Sequence, residues 1–400
     1  MADHNIFVFD NKVYSFGYNY SGQLGLKHNH HRNIPTFLMD GQDIKSICCG
    51  INHSMILKNN GDLMVFGDNS HGQLGLENVN NVNKPTLSMN SLEIKSIHCG
   101  ASLSMILMEN GELFVFGKTI HGNENKPTLL MKEQHIKLIS CGHAFSMMLK
   151  NNGELLVFGN NYACDFGIKS SNEFVDFDAH VTIPTVLMID PNIKSISCGY
   201  KNILILKNNG DLYVCGVNNY GQLGLGHTNN VCKPTLLMHD PEIKLICSGF
   251  DHSMVLKNNG DLLVFGNNEY GQLGLEKNKD MRITPTLLMN DNTIENIHCG
   301  ADHSMILKNN GELYVCGDNE YGQLGLGHKE NVFKPTLLMT NKTIKFYNSM
   351  PTQWTSENHK NCAPSFKQRI IAFVLFLKRN QMKTGLKIPK FVLFEIIKFV

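Results

Sequence analysis

The sequence predicts an all-β fold, a seven-bladed β-propeller closed by the two ends of its repeat array and followed by a short α-helical tail. Three observations carry the prediction. A glycine ending a "LYVFG"-like segment recurs at Gly17, Gly67, Gly117, Gly159, Gly216, Gly266 and Gly317, in steps of 50, 50, 42, 57, 50 and 51 residues. Each unit reads as short apolar strands between turn residues, with no helical periodicity inside it. The chain begins part-way through a unit, and the array ends on the piece missing from its start. Three or four antiparallel strands in about 50 residues make one propeller blade.

The unit ending the array shows the elements in order. Residues 294–298 (IENIH) alternate apolar and polar and lead to Cys299-Gly300. Residues 303–308 (HSMILK) form a second strand, Asn309-Asn310-Gly311 supplies a tight hairpin turn, and residues 312–316 (ELYVC) return. The near-continuous apolar runs of these two strands fit sheets covered on both faces. The Gly-punctuated loop DNEYGQLGLG follows, and then KPTLLM, whose Pro335 suits an edge strand because proline donates no ladder hydrogen bond.

At the N-terminus, residues 6–9, a turn at Asp10-Asn11 and residues 13–16 match the second and third strands, without a first. Residues 343–347 (TIKFY) match that first strand, without its partners. The blade that completes the ring, the seventh in this count, is therefore expected to be assembled from both termini, which removes the open edges of the array.

Composition narrows the function. The 400 residues are 42% hydrophobic and 18% charged, and 36 basic residues face 35 acidic ones for a net charge of +1. Nucleic acid is not an expected partner, since neither a basic surplus nor a basic tail is visible. The N-terminus lacks the basic and apolar regions of a secretory signal, which points to the inside of a cell, cytoplasm or nucleus. The 12 cysteines then read as reduced thiols packed as small hydrophobes. Only 4 of the 36 basic residues are arginine, a bias typical of AT-rich genomes.

Cys49-Gly50, His53-Ser54, Gly61, Phe66-Gly67 and Gly72-Gln73-Leu74-Gly75 recur together at fixed spacing over residues 1–348. On these motifs the chain resembles the regulator of chromosome condensation repeat family. The resemblance implies a seven-bladed propeller whose founding member is a guanine-nucleotide exchange factor for the GTPase Ran and binds chromatin, while most relatives use the fold for protein contacts. Exchange-factor contacts lie in loops that vary between blades, and none can be carried onto this chain.

Several motifs invite a chemical reading. Cys49 with His53 and Cys299 with His303 share a CxxxH spacing, but zinc needs four convergent ligands, and equivalent positions in successive blades are spread around a ring. Cys99, Cys141 and Cys198 are followed instead by Leu103, Phe145 and Asn202. No metal or cofactor is expected. His53, His252 and His303 each precede a serine, yet an active site needs one special copy, so these histidines are expected to satisfy backbone groups near the blade turn. The GQLG glycines lack the Lys-Ser/Thr ending of a phosphate loop. No catalytic residue is assigned, and the chain is not expected to be an enzyme.

The array breaks in two places. The unit after Gly117 loses GQLGL, and the unit after Gly159 is 7 residues longer than 50. There Glu173, Phe174, Asp176, Phe177 and Asp178 set aromatics among acids, as in a contact loop for a basic or mixed partner. A drifted surface loop explains the same residues equally well.

Residues 349–365 read as a polar linker, and 366–400 as a helical tail. Phe366, Ile370, Phe373, Val374 and Leu377 follow helical spacing, and an apolar run of eight residues is too short to span a bilayer. A second helix is expected from Pro389, with Ile388, Val392, Leu393, Ile396 and Ile397 on its apolar face. It can dock on the propeller or on a partner. IPKFVLFEIIKFV resembles the opening helix of an F-box, in the truncated C-terminal form that large DNA viruses attach to repeat proteins. That resemblance implies an adaptor of a cullin-type ubiquitin ligase, acting in a host cell.

Three roles follow. The first is a non-enzymatic protein-interaction module, a substrate-recruiting adaptor through the tail. The alternatives are exchange on a Ran-like small GTPase, and attachment to a membrane surface through the amphipathic tail.

Overall fold

The structure, a computed structural model, describes residues 2–77, 80–133, 135–161, 180–276 and 280–340. Strand-forming runs and turn residues alternate throughout, and they produce 27 strands and no helix in that part. The first blade holds β1 (His4–Phe9), β2 (Lys12–Gly17) and β3 (Arg32–Asp40). The second holds β4 (Ile44–Cys49), β5 (His53–Lys58), β6 (Asp62–Gly67) and β7 (Val82–Asn90). The other five, at residues 94–132, 136–189, 193–239, 243–290 and 294–340, repeat the second as four-stranded antiparallel meanders. A seven-bladed all-β propeller results, as the spacing of the glycines predicts. The strand expected at residues 343–347 lies outside the described residues.

Burial follows strand position. The second strand of each full blade is buried almost throughout, whereas the outermost strand is half-exposed along its length. The apolar side chains meet between blades rather than within them. Met55, Leu57, Leu63 and Val65 of the second blade pack on Ile94, Ile97 and Ile106 of the third. The same arrangement recurs at all seven interfaces, including Phe7 and Phe16 of the first blade on Met305, Leu313 and Val315 of the seventh. At that last interface Asn5 Nδ2 donates to Gln323 O at 2.8 Å and Gly327 N–H to Asn33 O at 2.7 Å. The ring is closed.

The Asn-Asn-Gly turns differ from the tight two-residue hairpin that Asn-Gly suggests. The loop is three residues long: Gly61 N–H donates back to Lys58 O at 3.0 Å, and Gly61 alone is left-handed, at φ 85°. This is a type I turn followed by a glycine bulge. Only the first blade uses the two-residue form, with Asp10 and Asn11 both at positive φ. Nine described cysteines are free thiols, as expected of reduced packing residues, but Cys232 is disulfide-bonded, against that expectation.

Candidate interaction face

The His-Ser dipeptides mark the seams between blades. His53 Nε2 lies 2.9 Å from Ser104 Oγ of the next blade, and Ser104 Oγ donates to Gln73 O at 2.7 Å. His252 and Ser304 repeat this at 2.9 Å, and His4 and Ser54 at 2.7 Å. The seventh blade closes on the first with Asn5 in the serine's place, its Nδ2 3.1 Å and its Oδ1 3.3 Å from His303 Nε2. Because each serine hydroxyl gives its proton to a carbonyl, it accepts from the histidine Nε2–H, which fixes the tautomer and leaves Nδ1 unprotonated. Nδ1 of His4, His53, His252 and His303 has no hydrogen-bond partner, in keeping with this.

These pairs resemble catalytic dyads in distance alone. His53, His252 and His303 are fully buried; Nε2 of His53 and His252 already carries a proton and cannot accept one, their serine protons are committed elsewhere, and His303 has no serine beside it. The expectation that the histidines satisfy nearby backbone groups is corrected: they bridge to the neighbouring blade. The GQLG loops are structural as well. Asn319 Oδ1 accepts from Leu324 N–H at 3.0 Å, and Gln323 Oε1 from Tyr321 N–H at 3.0 Å, so each loop folds around its own amides. Among the described residues no group of three His, Cys, Asp or Glu side chains is placed to hold a metal.

After each inner strand the chain turns near the axis. There Ile51 N–H donates to Ala101 O, Ala101 to His143, His143 to Tyr200 and Tyr200 to Gly249, at 3.1–3.4 Å. Phe250 N–H donates to Ala301 O at 3.0 Å and Ala301 N–H to Ala2 O at 3.2 Å. This ring of backbone bonds presents one short loop per blade at one end of the propeller. Side chains break its symmetry. His143, Tyr200 and Phe250 form a half-buried aromatic arc, with centroids 4.2 and 4.6 Å apart. Ile51, Ala101, His143 and Phe250 line a pocket too tight for a water molecule, which suits contact with a surface better than uptake of a ligand.

Charge breaks the symmetry further. Lys201 Nζ sits 5.6 Å from the Tyr200 ring centre, and His143 is pushed down to about 4 by desolvation, then by Lys201 and Lys118. The first, sixth and seventh blades contribute Asp3, Asp251, Asp302 and Asp318; burial raises Asp251, and Lys201 opposes that shift. Burial, then Asp3, Asp251 and Asp318, pushes Asp302 up to about 7; burial, then Asp318, pushes Asp3 up to about 6. Tyr18 and Tyr321 flank this group, 4.7 Å apart edge to face.

A carboxylate held above its ordinary pKa destabilises the fold wherever it is ionised, so its removal is stabilising at high pH. Asp302→Asn is expected to raise unfolding stability by about 1–3 kcal/mol at pH 8 and by much less at pH 4, read by urea denaturation at the two pH values. Equal effects at both would show that the carboxylates do not repel one another.

Glu173, Phe174, Asp176, Phe177 and Asp178 lie outside the described residues, as do Ile388, Pro389, Val392, Leu393, Ile396 and Ile397. The face has a sequence signal of its own. Asp precedes the histidine at Asp3-His4, Asp251-His252 and Asp302-His303, whereas Asn52, Ser102, Ala144 and Lys201 hold the equivalent place elsewhere.

A seven-bladed ring of such repeats defines a class of propellers, and comparison with known proteins identifies it. Residues 119–350 match the RCC1-like domain family, and residues 10–57 and 60–107 each match the regulator of chromosome condensation (RCC1) repeat. The chain belongs to the RCC1 repeat family. It is 53% identical over 140 residues to the probable E3 ubiquitin-protein ligase HERC3 of Homo sapiens, a stretch covering 34% of this chain and 13% of that protein. It is 27% identical over 136 residues to the secretion-regulating guanine nucleotide exchange factor of Bos taurus, covering 34% of this chain and 19% of that one. The matched stretches thus span less than a fifth of either relative. Prp20p of Saccharomyces cerevisiae shares the fold with a TM-score of 0.73 at 21% identity, over 84% of this chain and 87% of that chain. Among the described residues no helix is long and apolar enough to cross a membrane.

Proposed function

We propose that the chain is a protein-binding propeller that takes its partner on the axial loop face and serves as the substrate-recruiting adaptor of a cullin-type ubiquitin ligase. The observation that carries the binding reading is the polarised face itself. Half-buried aromatics at the centre of a patch, rimmed by charge, are the usual anatomy of an interaction hot spot. The Asp3–Asp302–Asp318 side favours a partner with basic residues, and Lys201 favours an acidic group beside the aromatic arc. The ligase link is supported by the F-box-like segment at residues 388–400 and by the likeness to a probable ubiquitin ligase.

A second reading, exchange on a Ran-like small GTPase, draws on the likeness to a guanine nucleotide exchange factor and on the fold shared with Prp20p, whose structure was described with its binding to Gsp1p and histones. A pull-down from cell extract separates the two, with the full chain beside a chain ending at Tyr347. The adaptor reading expects cullin-ligase subunits with the full chain alone. Loss of those subunits together with a small GTPase bound to both chains would replace it with the exchange reading.

A further inference from the structure

We propose that two thiol pairs, Cys48 with Cys99 and Cys247 with Cys299, are sites of oxidative cross-linking that join neighbouring inner strands, second blade to third and sixth blade to seventh. The inner strands run IKSICC, IKSIHC, IKLISC, IKSISC, IKLICS and IENIHC, and a side chain at the fifth position of one faces the sixth residue of the next. Cys99 N–H donates to Cys48 Sγ at 2.9 Å, and Cys299 N–H to Cys247 Sγ at 3.1 Å.

The structural part of this contact does not need sulfur. Ser140 Oγ accepts from Cys198 N–H at 3.0 Å, and Ser197 Oγ from Ser248 N–H at 3.1 Å, at the same positions of other blades. At Cys48–Cys99 and Cys247–Cys299 the geometry instead brings two oxidisable atoms together across a seam. The hydrogen bond from the neighbouring thiol holds Cys48 and Cys247 below the ordinary thiol range, which favours the attacking thiolate.

With a hydroperoxide as oxidant the chemistry balances. The Cys48 sulfur attacks the O–O bond and becomes a sulfenic acid, with release of water or an alcohol. The Cys99 sulfur then displaces water from it, and the S–S bond forms. Two thiols lose two electrons and two protons, and the peroxide takes up both.

The test uses the full chain, treated with hydrogen peroxide, blocked with iodoacetamide and digested without reduction for mass spectrometry. Linked peptides are expected for residues 48 with 99 and 247 with 299, lighter by two hydrogens than the sum of their parts and abolished by dithiothreitol. Cys48→Ser keeps the acceptor for Cys99 N–H and should lose only its own link, while Cys49→Ser should lose none. Ser140→Cys should create a third link, to Cys198. Folded protein whose cysteines oxidise without these links, or a Ser140→Cys variant that fails to join Cys198, would overturn the proposal.

Discussion

Acidification from pH 7.5 to 4.5 is expected to unfold this protein. Desolvation by burial pushes His4 and His252 down to about 3, and His53 and His98 down to about 4, against 6.5 for an exposed histidine. The unfolded chain therefore takes up protons that the folded chain refuses. The stability held above pH 6.5 is lost as the pH falls towards the folded values. Each pH unit inside that window costs about 1.4 kcal/mol per histidine, so the four together cost about 10 kcal/mol at pH 4.5. His303 acts in the same direction.

Asp3 and Asp302 oppose this. Their pKa values are raised to about 6 and about 7, so protonation relieves the folded state as the pH falls. That relief is at most about 5 kcal/mol over the same range. The histidines win, by an amount comparable to the whole stability of an ordinary domain. His252→Asn tests the assignment, because Asn202 already fills that position in the fifth blade. The variant should give up about 1 kcal/mol at neutral pH with the Ser304 bond, and its unfolding should take up about one proton fewer near pH 5. An unchanged pH slope would remove the buried histidine from the explanation.

Steric demand at the seams supplies the second large effect. A Cβ on Gly249 would lie 2.3 Å from His252 Cε1 and 2.8 Å from Gly300 O of the next blade. On Gly300 it would lie 2.0 Å from His303 Cε1. Neither glycine has a positive φ, so the requirement is close approach rather than backbone conformation. The histidine cannot swing away without giving up its partner in the next blade, Ser304 for His252 and Asn5 for His303. Gly249→Ala and Gly300→Ala should therefore each cost more than about 3 kcal/mol in denaturant unfolding. Gly100→Ala is the control: Leu103 replaces the histidine there, and the nearest atom, Gly142 O, is 3.0 Å away. A cost of about 1 kcal/mol is expected at Gly100, and equal costs at all three positions would contradict the packing account.

That contrast explains why the fold was readable from the sequence and the face was not. Seven recurring glycines with strand-length runs specify blades, because every blade solves the same local packing problem. His53 and Gly50 recur visibly, but their shared reason, a ring packed against a glycine and reaching into the next blade, needs coordinates. The hairpins differ in detail from the two-residue form because Asn-Gly serves a two-residue turn and a bulged three-residue turn alike. The face arises from positions about 50 residues apart that meet only when the ring closes. Asp3 reaches Asp318 and Asp302 from the other end of the chain. The aromatic arc was hidden for the same reason, since His143, Tyr200 and Phe250 replace Ile51, Ala101 and Ala301 at a position that carries no motif.

The central claim is that this face binds the protein's partner. The most direct measurement is a quantitative pull-down from cell extract with three full-length proteins: the unaltered chain, Tyr200→Ala with Phe250→Ala and Asp302→Asn, and Leu287→Ser on the half-exposed outer strand of the sixth blade. The face variant is expected to lose at least tenfold of the propeller-bound proteins, while Leu287→Ser retains them and circular dichroism shows all three folded. Equal recovery by the unaltered chain and the face variant would contradict the account and move binding to another surface of the ring.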